Sequence, residues 1–246
     1  MGKLLRQQRR GKGSPAYKCP SHRYKAELSH RTYNDAEKYS AVRGEVMEFV
    51  DDPGRSAVLA FVRFEDGDKR HILAAEGMAV GDRIDSGAKA ALGLGNVIPL
   101  SQIPDGAFIY NIELHPGDGG KLVRAPGAYA TVVSREKDHV FVKLPSRKVV
   151  VLEAGCRAHL GIVCGGGRLE LPLMKAGANF YKKHAQNRKW PVNRGVHMCA
   201  YSHPFGGKQH HKGRSSCTSR GAPPGRKVGN IAASSMGRRK ARAEDQ

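Results

Sequence analysis

The sequence predicts an all-β middle of small barrels flanked by two basic arms, and three observations carry that expectation. Between residues 38 and 165 the apolar residues fall in short runs bounded by Gly, Pro, Asp or Ser. None of these runs keeps a helical period. The positive charge, finally, is concentrated at the two ends of the chain.

Residues 42–50 form the first candidate strand and end in the turn Asp51-Asp52-Pro53-Gly54. Residues 57–64, rich in Val, Leu and Phe, are followed by the hairpin signal Asp66-Gly67 and by residues 69–74. Further strands are expected at 107–113, 129–134, 139–144, 149–152 and 159–163. The Ala- and Gly-containing stretch 88–96 reads as a boundary between two barrels, and no internal repeat is present. The resulting division is a basic arm (1–37), a first barrel (38–90), a second barrel (91–165) and a Gly-rich basic tail (166–246).

The 246 residues carry 42 Lys and Arg against 22 Asp and Glu, a formal net charge of +20. Residues 1–31 hold nine cations and one acid, Glu27; residues 166–240 hold sixteen and one acid, Glu170. Residues 38–115 are mildly acidic, with eight cations and twelve acids. Charge this uneven repels itself until a polyanion neutralises it, and nucleic acid is the commonest such partner. The tail shows neither a helical nor an alternating apolar period and has too little apolar surface to offset its ordering entropy, so alone in water it should be largely disordered. Against RNA its cations meet phosphates.

Other classes are disfavoured. No run approaches the roughly 18 apolar residues of a membrane span, and the basic N-terminus has no apolar stretch behind it, as a secretory signal would. Gly2 is followed by Arg6 where myristoylation wants Ser or Thr. Cys19, Cys156, Cys164, Cys199 and Cys217 lack disulfide spacing and point to a reducing, intracellular compartment. Gly165-Gly166-Gly167-Arg168 follows an apolar strand but belongs to no nucleotide-binding motif; it reads as backbone lying on RNA phosphate, or as a plain loop. Pro116-Gly117-Asp118-Gly119-Gly120-Lys121, with Arg124 beyond it, presents two cations from a solvent-facing turn, or is simply a hairpin loop. Cys19-x-x-His22 with His30, and Cys199 to His203 with His210, His211 and Cys217, do not match the paired spacing of a zinc finger. Ser202 precedes His203, but neighbours in an extended chain point to opposite faces, and no G-x-S-x-G elbow is present. Trp190, in Arg188-Lys189-Trp190-Pro191 before Arg194, either stacks on bases or anchors the tail.

The runs Trp190-Pro-x-x-Arg194-Gly195-Val196-x-Met198, His203-Pro204-Phe205-Gly206-Gly207 and Ala222-Pro-Pro-Gly-Arg226-Lys227-Val228-Gly229 closely resemble the universal large-subunit ribosomal protein of the L-two family. Gln8-Arg9-Arg10-Gly11, Ser21-His22-Arg23, the 116–121 and 165–168 loops and Lys175-Ala176-Gly177 match as well, and Phe205 with the short N-terminal arm resembles the archaeal and eukaryotic type. The resemblance spans essentially the whole chain. It implies an OB-fold barrel followed by an SH3-like barrel, with extended arms that penetrate ribosomal RNA. It also implies primary binding of large-subunit (23S-type) RNA, support of subunit association and of the peptidyl-transferase region, contact with neighbouring ribosomal proteins and the small subunit, and residence on cytoplasmic ribosomes.

The residues expected to hold RNA are Arg9, Arg10, Lys12, His22 and Arg23 in the arm, and Lys121 and Arg124 in the middle. In the tail they are Arg168, Lys175, Arg188, Lys189, Trp190, Arg194, His203, Lys212, Arg214, Arg226 and Lys227. No cofactor and no structural zinc are expected, and magnesium only as an RNA counterion. His203 falls on the histidine that the family implicates in peptidyl transfer, yet the bond-forming site there is RNA, so no enzyme is expected. Ser202 stands where the family often has Asp, and Cys199 replaces the usual Asn, so no carboxylate is present there to orient His203. The competing readings are a free translation or RNA-processing factor built on the same barrels, and a metal-dependent enzyme using the cysteines and histidines.

Overall fold

The computed structural model of the chain describes residues 2–18, 20–168 and 170–233. Cys19 and residues 234–246, which the arm and tail were expected to include, lie outside the described residues. Residues 21–173 form one compact unit, and the two ends, up to residue 20 and from residue 174, form another. Among the described residues α-helix is confined to α1 (Arg6–Gly11), α2 (Asp35–Tyr39) and α3 (Ala176–Ala185). None is long and apolar enough to cross a membrane.

The first unit is built from ten strands: β1 (Ala41–Val50), β2 (Leu59–Phe64), β3 (Lys69–Leu73), β4 (Arg83–Gly87), β5 (Val97–Pro99), β6 (Phe108–Tyr110), β7 (Ala130–Arg135), β8 (His139–Lys143), β9 (Val149–Glu153) and β10 (Arg157–Leu160). They join in the order β3-β2-β1-β4-β5-β10-β6-β7-β8-β9, antiparallel except where β4 meets β5 through Ser86 and Val97. The architecture is all-β, an OB-fold barrel followed by an SH3-like barrel. Val46, Val62, Phe64, Ile72 and Ile84 fill the first. Ile98, Ile109, Val132, Val140 and Val142 fill the second. A third cluster, with Leu28, Leu59, Leu73, Tyr110 and Val163, draws on both barrels and on the segment that precedes β1.

That segment is secured by charge as well as by Leu28. Arg157 is fully buried on β10 and donates through Nη2 to Glu113 Oε1 at 2.7 Å, through Nη1 to the Arg31 carbonyl at 2.9 Å, and to Glu37 on α2. Glu37 in turn accepts from the Ser86 hydroxyl, and Arg31 pairs with Asp66. Three buried rings lie beside this network. His159 stacks on Tyr110 at 4.9 Å and lies 5.0 Å from His30. His159 Nδ1 is 2.9 Å from the Gly95 carbonyl, His30 Nε2 is 2.8 Å from the Asn111 carbonyl, and the Tyr110 hydroxyl donates to Leu73 O.

Burial holds the His159 imidazole down at about 4, with Arg157 adding to the effect, and depresses His30 well below 6.5 for the same first reason. Above pH 6.5 both rings are neutral whether the chain is folded or not, so they cost nothing. Below it the unfolded chain binds protons that the folded chain refuses, and stability falls between pH 6.5 and about 4. From His159 alone the expected loss by pH 5 is about 2 kcal/mol. Urea unfolding of the whole chain at pH 7.5 and pH 5 reads it, and a midpoint unmoved between the two would contradict burial of these rings as neutral groups.

Four expectations need correction. β4 and β5 were not anticipated. The last strand is Arg157–Leu160 rather than 159–163, and its start was missed because Arg157 occupies a core position that its polarity disguises. The tail does contain a helix: α3 buries no residue, and it rests on Ala176, Ala178 and Ala185 with Lys182, Lys183 and His184 in its last turn. The chain at Ser202 and His203 is not extended but turned, with the amides of both residues donating to the Cys199 carbonyl.

Candidate nucleic-acid interface

The two ends fold around very little apolar material. Leu5, Phe205 and Val228 are buried together, with Val196 half-buried against them. The Lys3 amide donates to the Tyr201 carbonyl at 2.7 Å, and the Asn187 side chain donates to the Tyr17 carbonyl. Two short strands, β11 (Cys217–Thr218) and β12 (Asn230–Ile231), pair in parallel and close the far end. Gly206 is indispensable to this packing, since a Cβ there would stand 2.3 Å from the Met198 carbonyl oxygen and 2.5 Å from that of Cys199.

On this frame α1 places Arg6, Arg9 and Arg10 at helical spacing (i, i+3, i+4), with Arg9 and Arg10 exposed. They line an open groove of about 860 Å³ together with Lys189, His197 and His203. Lys189 Nζ also lies 5.6 Å from the Tyr17 ring centre, and Arg194 Nη2 is 2.7 Å from His197 Nε2. Arg214 and Arg226 line a second hollow of about 620 Å³ beside Phe205 and Val228. Lys12, Lys175, Arg188 and Lys212 are exposed, whereas Trp190 and Lys227 are partly covered. Arg6, Tyr17 and His197 were not singled out from the sequence; the Arg6-x-x-Arg9-Arg10 spacing was the signal for the first of them.

His203 is half-buried, its Nδ1 accepts a hydrogen bond from the Phe205 amide at 3.0 Å, and its ring lies 5.1 Å from that of Phe205. Burial, and then the Arg6 charge, hold the imidazole below its usual range. With Nδ1 occupied as an acceptor, the neutral ring carries its proton on Nε2. A backbone amide, not a carboxylate, therefore orients this ring.

The remaining candidates lie in the barrel unit, and the structure does not gather them. His22 and Arg23 are exposed on the single turn Ser21–Arg23. Lys121 is exposed, but the loop before it turns inward: Glu113 accepts from the Gly117 and Gly119 amides, and Gly119 and Gly120 are buried. A Cβ on Gly120, whose φ is +83°, would stand 2.5 Å from Asn111 Oδ1. Arg124 is half-buried, donating to the carbonyls of Gly120 and Leu28 at 3.0 and 3.2 Å. Burial, and then Arg55, lower its pKa. Arg168 is partly covered, and its buried Nε has no hydrogen-bond partner among the described residues. Among the described residues no three His, Cys, Asp or Glu side chains are gathered as a metal site requires.

Charge pairing separates the two units. Among the described residues the ion pairs all fall between Arg31 and Arg157. Residues 2–18 and 174–233 contain six and twelve cations respectively, and no Asp or Glu.

Comparison with known proteins accords with this architecture. Residues 1–86 match the family described as "Ribosomal Proteins L2, RNA binding N-terminal domain", and residues 93–227 match "Ribosomal Proteins L2, C-terminal domain". A protein of Methanopyrus kandleri, named large ribosomal subunit protein uL2, is 49% identical over 97% of this chain and 98% of its own length. Proteins of the same name from Methanococcus vannielii and Methanothermobacter thermautotrophicus are 49% and 46% identical, covering 97% and 98% of this chain and all of their own. With both family domains matched in order and these archaeal relatives aligned end to end, the chain belongs to the ribosomal protein L2 family.

Proposed function

We propose that this chain is a structural constituent of the large ribosomal subunit that binds large-subunit ribosomal RNA with its two joined ends. The observation that carries the reading is the unit of residues 2–18 and 174–233, eighteen cations without one acid. Such a unit repels itself until a polyanion enters, and phosphate contacts supply that anion. The barrel unit, which holds every ion pair among the described residues, supports subunit association and the peptidyl-transferase region. Neighbouring ribosomal proteins and, at the intersubunit face, the small subunit complete its partners, on cytoplasmic ribosomes.

Peptidyl transfer itself falls to RNA in this reading. His203 has an amide for its partner and no acid among the described residues of its unit to act with, so it assists by placement at most. No cofactor is needed, structural zinc has no role, and magnesium enters only as an RNA counterion. Sucrose-gradient fractionation of a lysate tests the proposal: the protein should sediment with large subunits. Recovery mainly outside ribosomal particles would favour a free translation or RNA-processing factor. Stoichiometric zinc in the purified chain, read by elemental analysis, would overturn the metal-free reading.

A further inference from the structure

We infer that the outer sheet face of the SH3-like barrel is a stacking site for unpaired RNA nucleotides, with Phe108 and Tyr129 receiving bases and Lys143 a phosphate. This rests on the chain being an RNA binder. It adds a barrel surface to the RNA contacts assigned above to the two cationic ends, and uses stacking where those ends use charge.

The strand register builds the site. Phe108 on β6 is opposite Thr131 on β7, Thr131 is opposite Lys143 on β8, and Lys143 is opposite Val149 on β9. Directly opposed residues project to the same side of a sheet, so these four form one row on the outer face. The alternate positions Ile109, Ala130, Val132 and Val142 are buried on the inner face, which makes the row a rigid platform. Phe108 and Tyr129 are 47% and 43% exposed, large rings left in water, with their centres 4.6 Å apart.

Together with Thr131, Lys143, Leu144 and Pro145 they line a hollow of about 410 Å³ that no acid enters. That volume suits a nucleotide or a small ligand and not a folded partner. The turn beyond Lys143 adds Arg147 and Lys148, both exposed, and the Arg147 amide donates to the Leu144 carbonyl to hold the turn. Aromatic rings on a sheet face, with cations at one end and no carboxylate lining the hollow, give bases a surface to stack on and phosphates a charge to meet.

The experiment irradiates the full chain bound to a single-stranded ten-nucleotide oligouridylate, and separately to large-subunit ribosomal RNA, then maps crosslinked peptides by mass spectrometry. A crosslink at Phe108 or Tyr129 is expected. Phe108→Leu and Tyr129→Leu, each keeping apolar bulk but losing the π face, should reduce that crosslink at least fivefold, in line with the loss of one base–aromatic stack. Lys143→Gln should lower the log–log salt slope with the oligouridylate by about 0.7. Crosslinks confined to residues 2–18 and 174–233, with both Leu variants binding as wild type does, would overturn the inference and leave the broader reading intact. Failure of the wild-type chain to bind either RNA would overturn both.

Discussion

Replacing Arg157 with Leu is expected to cost about 3–5 kcal/mol of folding stability, the usual consequence of removing one partner from a buried ion pair. The guanidinium is the only described cation that contacts both Glu37 and Glu113, and all three side chains are removed from water. Glu113 would keep its hydrogen bonds from the Gly117, Gly119 and Arg157 amides. Glu37 would keep the Ser86 hydroxyl and a longer contact of 3.7 Å with Arg31. The carboxylates would then lie close together at low dielectric, and the Arg31 carbonyl would lose a donor. Since single domains commonly have 5–15 kcal/mol in all, this one change should bring the barrel unit close to unfolding at ambient temperature. Thermal and urea unfolding followed by circular dichroism measure it. The double variant Glu37→Gln with Arg157→Met should recover part of the loss by removing charge from both sides. A penalty below about 1 kcal/mol for Arg157→Leu would mean that the network is not what holds the segment before β1.

The same residues mark where the sequence was legible and where it was not. β2 and β3 could be read because apolar alternation and the Asp66-Gly67 turn are local signals, and Gly67 does adopt the positive φ that such a turn needs. The start of β10 was missed because a core position there holds Arg157, whose partners Glu113 and Glu37 lie 44 and 120 residues away. A polar residue in a core is recognisable only from its partner, and sequence distance hides partners. β4 escaped for a related reason. Its buried Ser86 is satisfied by Glu37, so Arg-Ile-Asp-Ser-Gly carries one large apolar residue and no visible alternation. β5 is three residues long and wholly buried, too short to show a period.

In the ends, charge was legible and architecture was not. The cations of residues 9–12 and 188–227 stood out by density alone. That Leu5 meets Phe205 and Val228 did not, since each is an isolated apolar residue in polar surroundings. Arg124 shows the limit of reading charge as function: its guanidinium bonds two carbonyls of its own chain, which composition could not reveal.

Changing the cations Arg9, Arg10, Lys189, Arg194, Arg214 and Arg226 to Gln should reduce affinity for large-subunit ribosomal RNA by orders of magnitude at physiological salt. Each neutralised phosphate contributes about 0.7–0.9 to the slope of log affinity against log salt, so losing six such contacts should flatten that slope by roughly four to five. Five of these residues are exposed on the groove or the hollow or beside them, and no acid among the described residues of their unit competes for them. Arg194, the sixth, is exposed, and its guanidinium has only the His197 ring for a partner among the described hydrogen bonds. The control neutralises three cations of the barrels, Arg43, Arg63 and Arg135, which face Asp85, Glu45 and Asp105 and should leave the slope nearly unchanged. Deleting residues 190–240 should go further and abolish stable RNA association, because Leu5 then loses both Phe205 and Val228 and α1 loses its support. The barrel unit, with its own cores and ion pairs, should stay folded after that deletion, as a retained cooperative unfolding transition would report. Filter binding or fluorescence anisotropy between 50 and 300 mM KCl reads the slope. If the six-fold variant and the three-fold barrel control changed it equally per cation removed, the ends would contribute nothing beyond net charge, and their shared fold around Leu5, Phe205 and Val228 would have no bearing on how RNA is held.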